Sequence, residues 1–383
     1  MPTSTIDQCS MLHIGHNPLP DDIPYFTRGP LKSNGLLDTY DQIDLTPVIG
    51  TEFRDVNLVG WMKAPNADEL LRELALIVST RGVVVFRAQT DLCENVQKDL
   101  IQRLGVLSGK PTTSNLHIHP ILNTKSAIKQ ERSADQNVGA ISSKLLYSVY
   151  GENLTDDSVC TRRQSSAKMW HTDCGFEAAP ADYSLLRMTQ LPPSGGDTLF
   201  ASTYELYDRI SPPMQRFLSN LTATFGRPDF KTTAARSNLA LYSDERGSIH
   251  NVGTDLTAVH PVVRTNPVTG WRSVFPVGQH VQHVNGVTPE ESKMLLDYLL
   301  QFVLDNHDLQ VRLRWENNGD VAIFDNRSCV HTATLDYEGI GDRFGSRIVG
   351  IGERPFLDLS SKSRREDLAD RGVKIAGYFP ARR

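Results

Sequence analysis

The chain has 383 residues, 39% hydrophobic and 22% charged, which is enough for one large domain or two small ones with a substantial core. Its formal charge of −5 offers no global attraction to nucleic acid or anionic membrane, and no apolar run approaches the length of a transmembrane helix. The five cysteines, Cys9, Cys93, Cys160, Cys174 and Cys329, lack C-x-x-C spacing, which argues against a disulfide framework or a cysteine zinc site and for a reducing compartment.

Residues 1–44 read as an N-terminal arm, because Gly15, Pro18, Pro20, Pro24, Pro30 and Gly35 interrupt any long regular element. The first twenty residues are polar and lack an apolar core of the signal-peptide type, so the expected location is cytoplasmic. Residues 45–357 read as a single domain and 358–383 as a polar C-terminal tail. The first clear element is a helix: Asn66 and Glu69 have capping-box spacing, and Leu70, Leu71, Leu74, Ile77 and Val78 form an apolar stripe. Gly82 ends it, and Val83-Val84-Val85-Phe86 predicts a buried strand. A second helix is expected over residues 91–104, stopping at Gly105. Residues 106–166 are the least regular part and are expected to form a lid; within them, the alternation of 116–120 predicts a strand with His117 and His119 on one face.

The stretch Trp170-His171-Thr172-Asp173-Cys174-Gly175-Phe176 carries the chemistry. If it is extended, His171 and Asp173 project to the same side. An imidazole and a carboxylate on one face are two of the three ligands of a non-haem Fe(II) site. On the tripeptide alone, a strand-end histidine hydrogen-bonded to a nearby aspartate is the better reading, and the rest of the chain reverses that. Strands are expected at 183–188 and 198–201, the second delivered by the turn 192–198. Ser211-Pro212-Pro213 opens a helix to about residue 221, and 260–264 and 273–275 read as strands. Thr288-Pro289-Glu290-Glu291 starts a capped helix with Met294, Leu295, Tyr298, Leu299 and Phe302 on one side. Strands follow at 311–315, 321–324 and 347–351. The pattern predicts a mainly β chain with flanking helices, a sandwich or barrel core. There is no Walker loop, and Gly339-Ile340-Gly341 lacks the third glycine of a dinucleotide motif.

From residue 82 to 355 the chain resembles the Fe(II)/2-oxoglutarate-dependent dioxygenases of the taurine dioxygenase (TauD/TfdA) family. The landmarks run in order: LHIHP at 116–120, WHTD at 170–173, GGDTL at 195–199, HPVVRT at 260–265, DNR at 325–327, His331, and Arg343 with Arg347. The resemblance implies a double-stranded β-helix, or jelly roll, with Fe(II) held by His171, Asp173 and His331. It also implies 2-oxoglutarate and O2 as co-reactants, with Arg343 and Thr198 on the far carboxylate of 2-oxoglutarate. An arginine fork matches a carboxylate in a way lysine cannot. Four residues apart, Arg343 and Arg347 would share a face of one strand. Arg347 resembles the arginine that faces the substrate anion, with a second role near the cosubstrate. His119 resembles a histidine on the substrate's acidic group, and Phe176 and Cys174 line the same pocket.

The expected reaction converts 2-oxoglutarate to succinate and CO2 and oxidises a C–H bond of a small anion, a sulfonate or an amino or carboxylic acid. The alternative is the same chemistry on an amino acid or larger product of specialised metabolism, including desaturation or ring closure. Ser165-Ser166-Ala167-Lys168-Met169 stands where taurine-specific members carry an Asn/Asp-rich run, a departure from the taurine pattern. A jelly-roll binding protein without catalysis is the reading from another class. A homo-oligomer, as a dimer, is carried as one assembly the sequence permits.

Overall fold

The computed structural model describes residues 25–121, 135–142, 167–236, 238–337 and 339–375. Most of the expected lid and of the N-terminal arm, with Cys9 and Cys160, therefore lies outside the described residues. In chain order the strands are β1 (Gln42–Asp44), β2 (Thr51–Phe53), β3 (Val83–Phe86), β4 (Val138–Ser142), β5 (Ala181–Gln190), β6 (Thr198–Ser202), β7 (Thr222–Gly226) and β8 (Thr257–Pro261). They continue as β9 (Val263–Thr265), β10 (Arg272–Val274), β11 (Val281–Val284), β12 (Gln310–Leu313), β13 (Val321–Asp325), β14 (Cys329–Ala333) and β15 (Phe344–Ile351).

Seven strands form the main sheet in the order β1-β2-β3-β13-β5-β15-β4, and smaller sheets are built as β12-β6-β14, β11-β7-β8 and β10-β9. The main sheet is buried on both faces, so its strands read as continuous apolar runs whose alternate residues serve two cores. Val84, Phe86, Leu185, Val321 and Ile323 pack with Leu70, Leu71, Leu74, Val78, Leu100, Ile101 and Leu104 of two helices. Val83, Val85, Leu186, Met188, Ala322 and Phe324 face the other way, onto Phe200, Val311, Leu313 and Cys329 of the β12-β6-β14 sheet. The site described below is built between these two sheets. The structure is mixed α/β with several sheets, and the expectation of a mainly β chain gives way where helices cover the outer face of the main sheet.

The helix Ala67–Arg81 forms as its apolar stripe predicts and ends at Gly82, whose φ of 75° is open to glycine. The Asn66 side chain makes no capping hydrogen bond, so the capping box expected there is not formed. Glu94–Ser108 runs through Gly105 to a left-handed cap at Gly109, one turn beyond the expected stop. Capping boxes are formed instead at Thr288, opening Pro289–Asp305, and at Ser363, opening Arg364–Asp370. The second lies in the polar tail and is docked: Arg364 and Arg365 both reach Glu205, at 2.8 and 2.7 Å. Residues 116–120 do not form a strand; Leu116 makes one isolated bridge to Gly350.

A buried ionic group locks the β13–β14 turn. Arg327 donates through Nε to Asp325 Oδ1 at 2.8 Å and stands 3.5 Å from Glu353, which Arg264 holds at 2.6 Å. Burial pushes the Asp325 carboxyl up, but Arg327 and the Ser79 hydroxyl outweigh it and hold it below the ordinary range. A folded pKa below the unfolded one gives stability that is complete above about pH 4 and lost as pH falls through the depressed value. Arg327→Met takes the guanidinium partner from buried Asp325, while Glu353 keeps Arg264, and is expected to destabilise the fold by about 3–5 kcal/mol. Urea unfolding at pH 7 measures this, and the gap from wild type should narrow as the solution is acidified.

Candidate active site

His171 exchanges both backbone hydrogen bonds with His331 of β14, at 3.0 and 2.8 Å, forming an isolated antiparallel bridge. That pairing places the two imidazoles side by side, with ring centroids 4.3 Å apart. The chain then leaves the extended conformation: a turn begins at Asp173, and Cys174 adopts a left-handed φ of 55°. The expected extended run over 170–176 therefore holds at His171 only, and Asp173 reaches the same site through the turn.

Asn326 holds that turn. Its side-chain oxygen accepts the Asp173 backbone N–H at 2.9 Å, and its backbone carbonyl accepts the Thr172 hydroxyl at 2.9 Å. Its amide nitrogen donates to Ser184 Oγ at 2.9 Å, and Ser184 in turn donates to Asp173 Oδ2 at 2.8 Å. The other carboxylate oxygen accepts Arg347 Nη1 at 2.8 Å. Burial opposes the charge on Asp173, but Arg347, His331, His171 and the Ser184 hydroxyl hold the carboxyl well below the ordinary range.

The ligand atoms of His171, Asp173 and His331 lie within 4.8 Å of one another, the one such His/Cys/Asp/Glu group of three or more among the described residues. His171 Nδ1 is 2.8 Å from the Met169 carbonyl, which can only accept, so Nε2 keeps its lone pair. His331 Nδ1 is buried without a hydrogen-bond partner, and burial, with His171 close by, pushes its pKa down to about 3. Two neutral imidazoles and one carboxylate are the donor set of a non-haem Fe(II) site with open positions. The residues present fit the metal.

Arg343 is buried beside Thr198, with Nη2 3.5 Å from its hydroxyl and Nε donating to the Gly196 carbonyl at 3.0 Å. Gly196 has a φ of 73°, and a Cβ there would stand 3.0 Å from Arg343 Cδ, so the second glycine of GGDTL makes room for the arginine. Trp315 Nε1 donates to the same hydroxyl at 3.2 Å. Arg343 precedes β15, and a register shift separates Phe344 from Gly345, so the two arginines are not neighbours on one regular strand face as expected. Arg343 goes to Thr198 and Arg347 to Asp173.

His119 Nδ1 accepts the Ile121 backbone N–H at 3.1 Å, and its ring packs 5.4 Å from Phe230. Burial, then Arg347, His117 and Arg227, push its pKa well below the ordinary value. Nδ1 thus acts as an acceptor, and burial favours the neutral ring with its proton on Nε2. Phe176 lies edge-to-face with Phe230 at 5.6 Å and with His280 at 5.5 Å. Cys174 packs with Ala181 and Val349, its Sγ 3.4 Å from His117 Nδ1. His117 continues to Glu177 at 3.2 Å, and Glu177 is clamped by Arg246 at 2.6 and 2.8 Å.

Asn326, Ser184, Arg227, Phe230 and His280 escaped the sequence reading. Asn326 lies inside the DNR landmark at 325–327, but nothing local marks its side chain as the partner of the Asp173 backbone N–H. His280 sits in Gly278-Gln279-His280 with no spacing that marks it, although its ring is 5.3 Å from that of His171. The described residues contain no helix long and apolar enough to cross a membrane.

The family model for the taurine catabolism dioxygenases (TauD, TfdA family) matches residues 41–349. The alpha-ketoglutarate-dependent dioxygenase btcD of Neocamarosporium betae is 48% identical over 344 residues, covering 88% of this chain and 98% of that protein. An alpha-ketoglutarate-dependent sulfonate dioxygenase of Saccharomyces cerevisiae is 31% identical over 315 residues, covering 82% of this chain and 68% of that protein. A taurine dioxygenase from Burkholderia xenovorans shares the fold, with a TM-score of 0.59 at 24% identity over 83% of this chain and 91% of that one.

Proposed function

The chain belongs to the TauD/TfdA family and is an alpha-ketoglutarate-dependent dioxygenase, and from that premise we propose that it oxidises a C–H bond of a carboxylate-bearing product of specialised metabolism. The substrate is an amino acid or a larger metabolite, and small sulfonates are disfavoured. The observation that carries this reading is the fall in identity from 48% with the Neocamarosporium dioxygenase to 31% with the yeast sulfonate dioxygenase. The aromatic wall of Phe176 and Phe230 agrees with it, since it suits a substrate with an apolar body.

The two facing sheets are read as the walls of a double-stranded β-helix with the reaction at one mouth. His171, Asp173 and His331 hold Fe(II) there. When bound, the metal with 2-oxoglutarate and O2 supplies the oxidising power, and 2-oxoglutarate leaves as succinate and CO2. Arg343 and Thr198 hold the far carboxylate of the cosubstrate, the arginine fixing charge and the hydroxyl fixing orientation. Arg347 keeps Asp173 ionised through the 2.8 Å contact and faces the primary substrate with the rest of its guanidinium. His119 offers a neutral N–H to a substrate oxygen, and Phe176 and Phe230 exclude water. Cys174, turned toward His117, shapes the floor behind the site.

The test is a mass-spectrometric screen of sulfonates, amino acids and carboxylated metabolites with Fe(II), ascorbate and 2-oxoglutarate. A carboxylate-bearing compound should gain one oxygen or lose two hydrogens, with succinate formed in step. Efficient turnover of taurine, with every carboxylate inert, sinks the reading.

A further inference from the structure

Arg227 and His280 face each other because β7 and the segment entering β11 are joined there: the Gly226 N–H donates to the His280 carbonyl at 2.8 Å. The same segment is pressed onto the H-x-D stretch. Gly278 has a φ of 88°, a Cβ on it would fall 1.6 Å from the Trp170 carbonyl oxygen, and Gln279 N donates to that oxygen at 2.9 Å. His280 is therefore held against His171 by backbone and not by a flexible side-chain contact.

The hydrogen bonds assign its protons. Arg227 Nη1 lies 3.1 Å from His280 Nε2, and a guanidinium can only donate, so Nε2 accepts and the ring is neutral with its proton on Nδ1. Asp229 takes the other edge of Arg227, at 2.9 and 2.7 Å, and Phe230 lies under its guanidinium carbon at 4.2 Å, so the arginine is paired and braced in this orientation. His280 Nδ1 is buried, points away from Arg227, and has no hydrogen-bond partner among the described residues. A buried donor without an acceptor is uncommon in native proteins and calls for a partner that a ligand oxygen or an ordered water supplies.

We propose that the Arg227–His280 pair forms an acceptor subsite of the substrate pocket, in which the His280 Nδ1–H hydrogen-bonds a carbonyl or carboxylate oxygen of the primary substrate. Arg227 is a positioning residue that sets the tautomer, and His280 is the residue that selects. The His280 ring stands 5.3 Å from the His171 ring and 5.5 Å from the Phe176 ring, so the subsite adjoins the metal site and the aromatic wall. It rests on the reading that the substrate carries such an oxygen near the oxidised carbon.

The test uses the full chain loaded with Zn(II) and N-oxalylglycine, a diamagnetic and inert state, and acetate as the acceptor probe. In 15N-histidine spectra the His280 resonances, identified by their loss in His280→Phe, should show Nδ1 protonated and Nε2 bare. Acetate should shift the Nδ1 proton downfield, and His280→Phe should weaken acetate binding by about tenfold, as expected for one hydrogen bond to a charged acceptor. N-oxalylglycine affinity should stay unchanged, which shows that the variant is folded, and His280→Asn, which offers an N–H at the same place, should restore acetate binding in part. A proton on Nε2, no shift at saturating acetate, or equal acetate affinity in wild type and His280→Phe overturns the proposal. If the subsite behaves as described while the enzyme turns over taurine alone, the substrate reading fails and the subsite stands.

Discussion

His331→Ala is expected to bring 2-oxoglutarate-dependent succinate release below detection while the protein stays folded. His331 supplies one of three ligand atoms within 4.8 Å, and no second such cluster exists among the described residues to take over the metal. The fold should tolerate the change, because the imidazole makes no hydrogen bond through its buried Nδ1 and the bridge to His171 is made by backbone. His171→Ala should behave alike. Asp173→Ala should be worse for stability, since it strips Arg347 and Ser184 of a shared partner. Succinate assays paired with anaerobic Mn(II) binding and thermal unfolding separate loss of metal from loss of fold. A His171→Ala/His331→Ala protein that still turned over 2-oxoglutarate would show that the metal is held elsewhere.

Arg343→Lys should raise the 2-oxoglutarate KM by about ten- to a hundredfold, because a contact to a charged group contributes roughly 1.5–3 kcal/mol. Lysine cannot rebuild the fork, nor keep both the Gly196 carbonyl and the Thr198 hydroxyl in reach. Thr198→Val removes a neutral contact of roughly 0.5–1.5 kcal/mol and should raise KM by about two- to tenfold. It also leaves the buried Trp315 N–H without its acceptor, so a small drop in thermal stability should accompany it. Arg347→Ala should instead weaken the primary substrate and leave 2-oxoglutarate affinity nearly intact. Isothermal titration of both ligands under anaerobic conditions decides the division of labour. A selective loss of 2-oxoglutarate in Arg347→Ala would give that arginine to the cosubstrate.

The chain by itself determined the chemistry of the metal site and the order of its parts. His171, Asp173 and His331 were legible because ligand type and motif order survive without coordinates, and GGDTL marked the Thr198 hydroxyl, whereas the room its second glycine leaves for Arg343 was visible only in the structure. The apolar runs of β3 and β13 and the capped helix at Thr288 were legible for the same reason, since their causes lie within a few residues. The tertiary structure alone decided what depends on partners far apart in the chain. It extended Glu94–Ser108 past Gly105 and left Asn66 without its cap. It broke the extended H-x-D run after His171, because Asn326, 153 residues from Asp173, claims that backbone N–H. It separated Arg343 from Arg347 by a register shift and assigned them different partners. It also set His280 beside His171, through a glycine that the Trp170 carbonyl and a φ of 88° make necessary. Hydrogen-bond and packing partners at such separations leave no periodicity in the sequence, because spacing patterns record only neighbours on the same helix or strand.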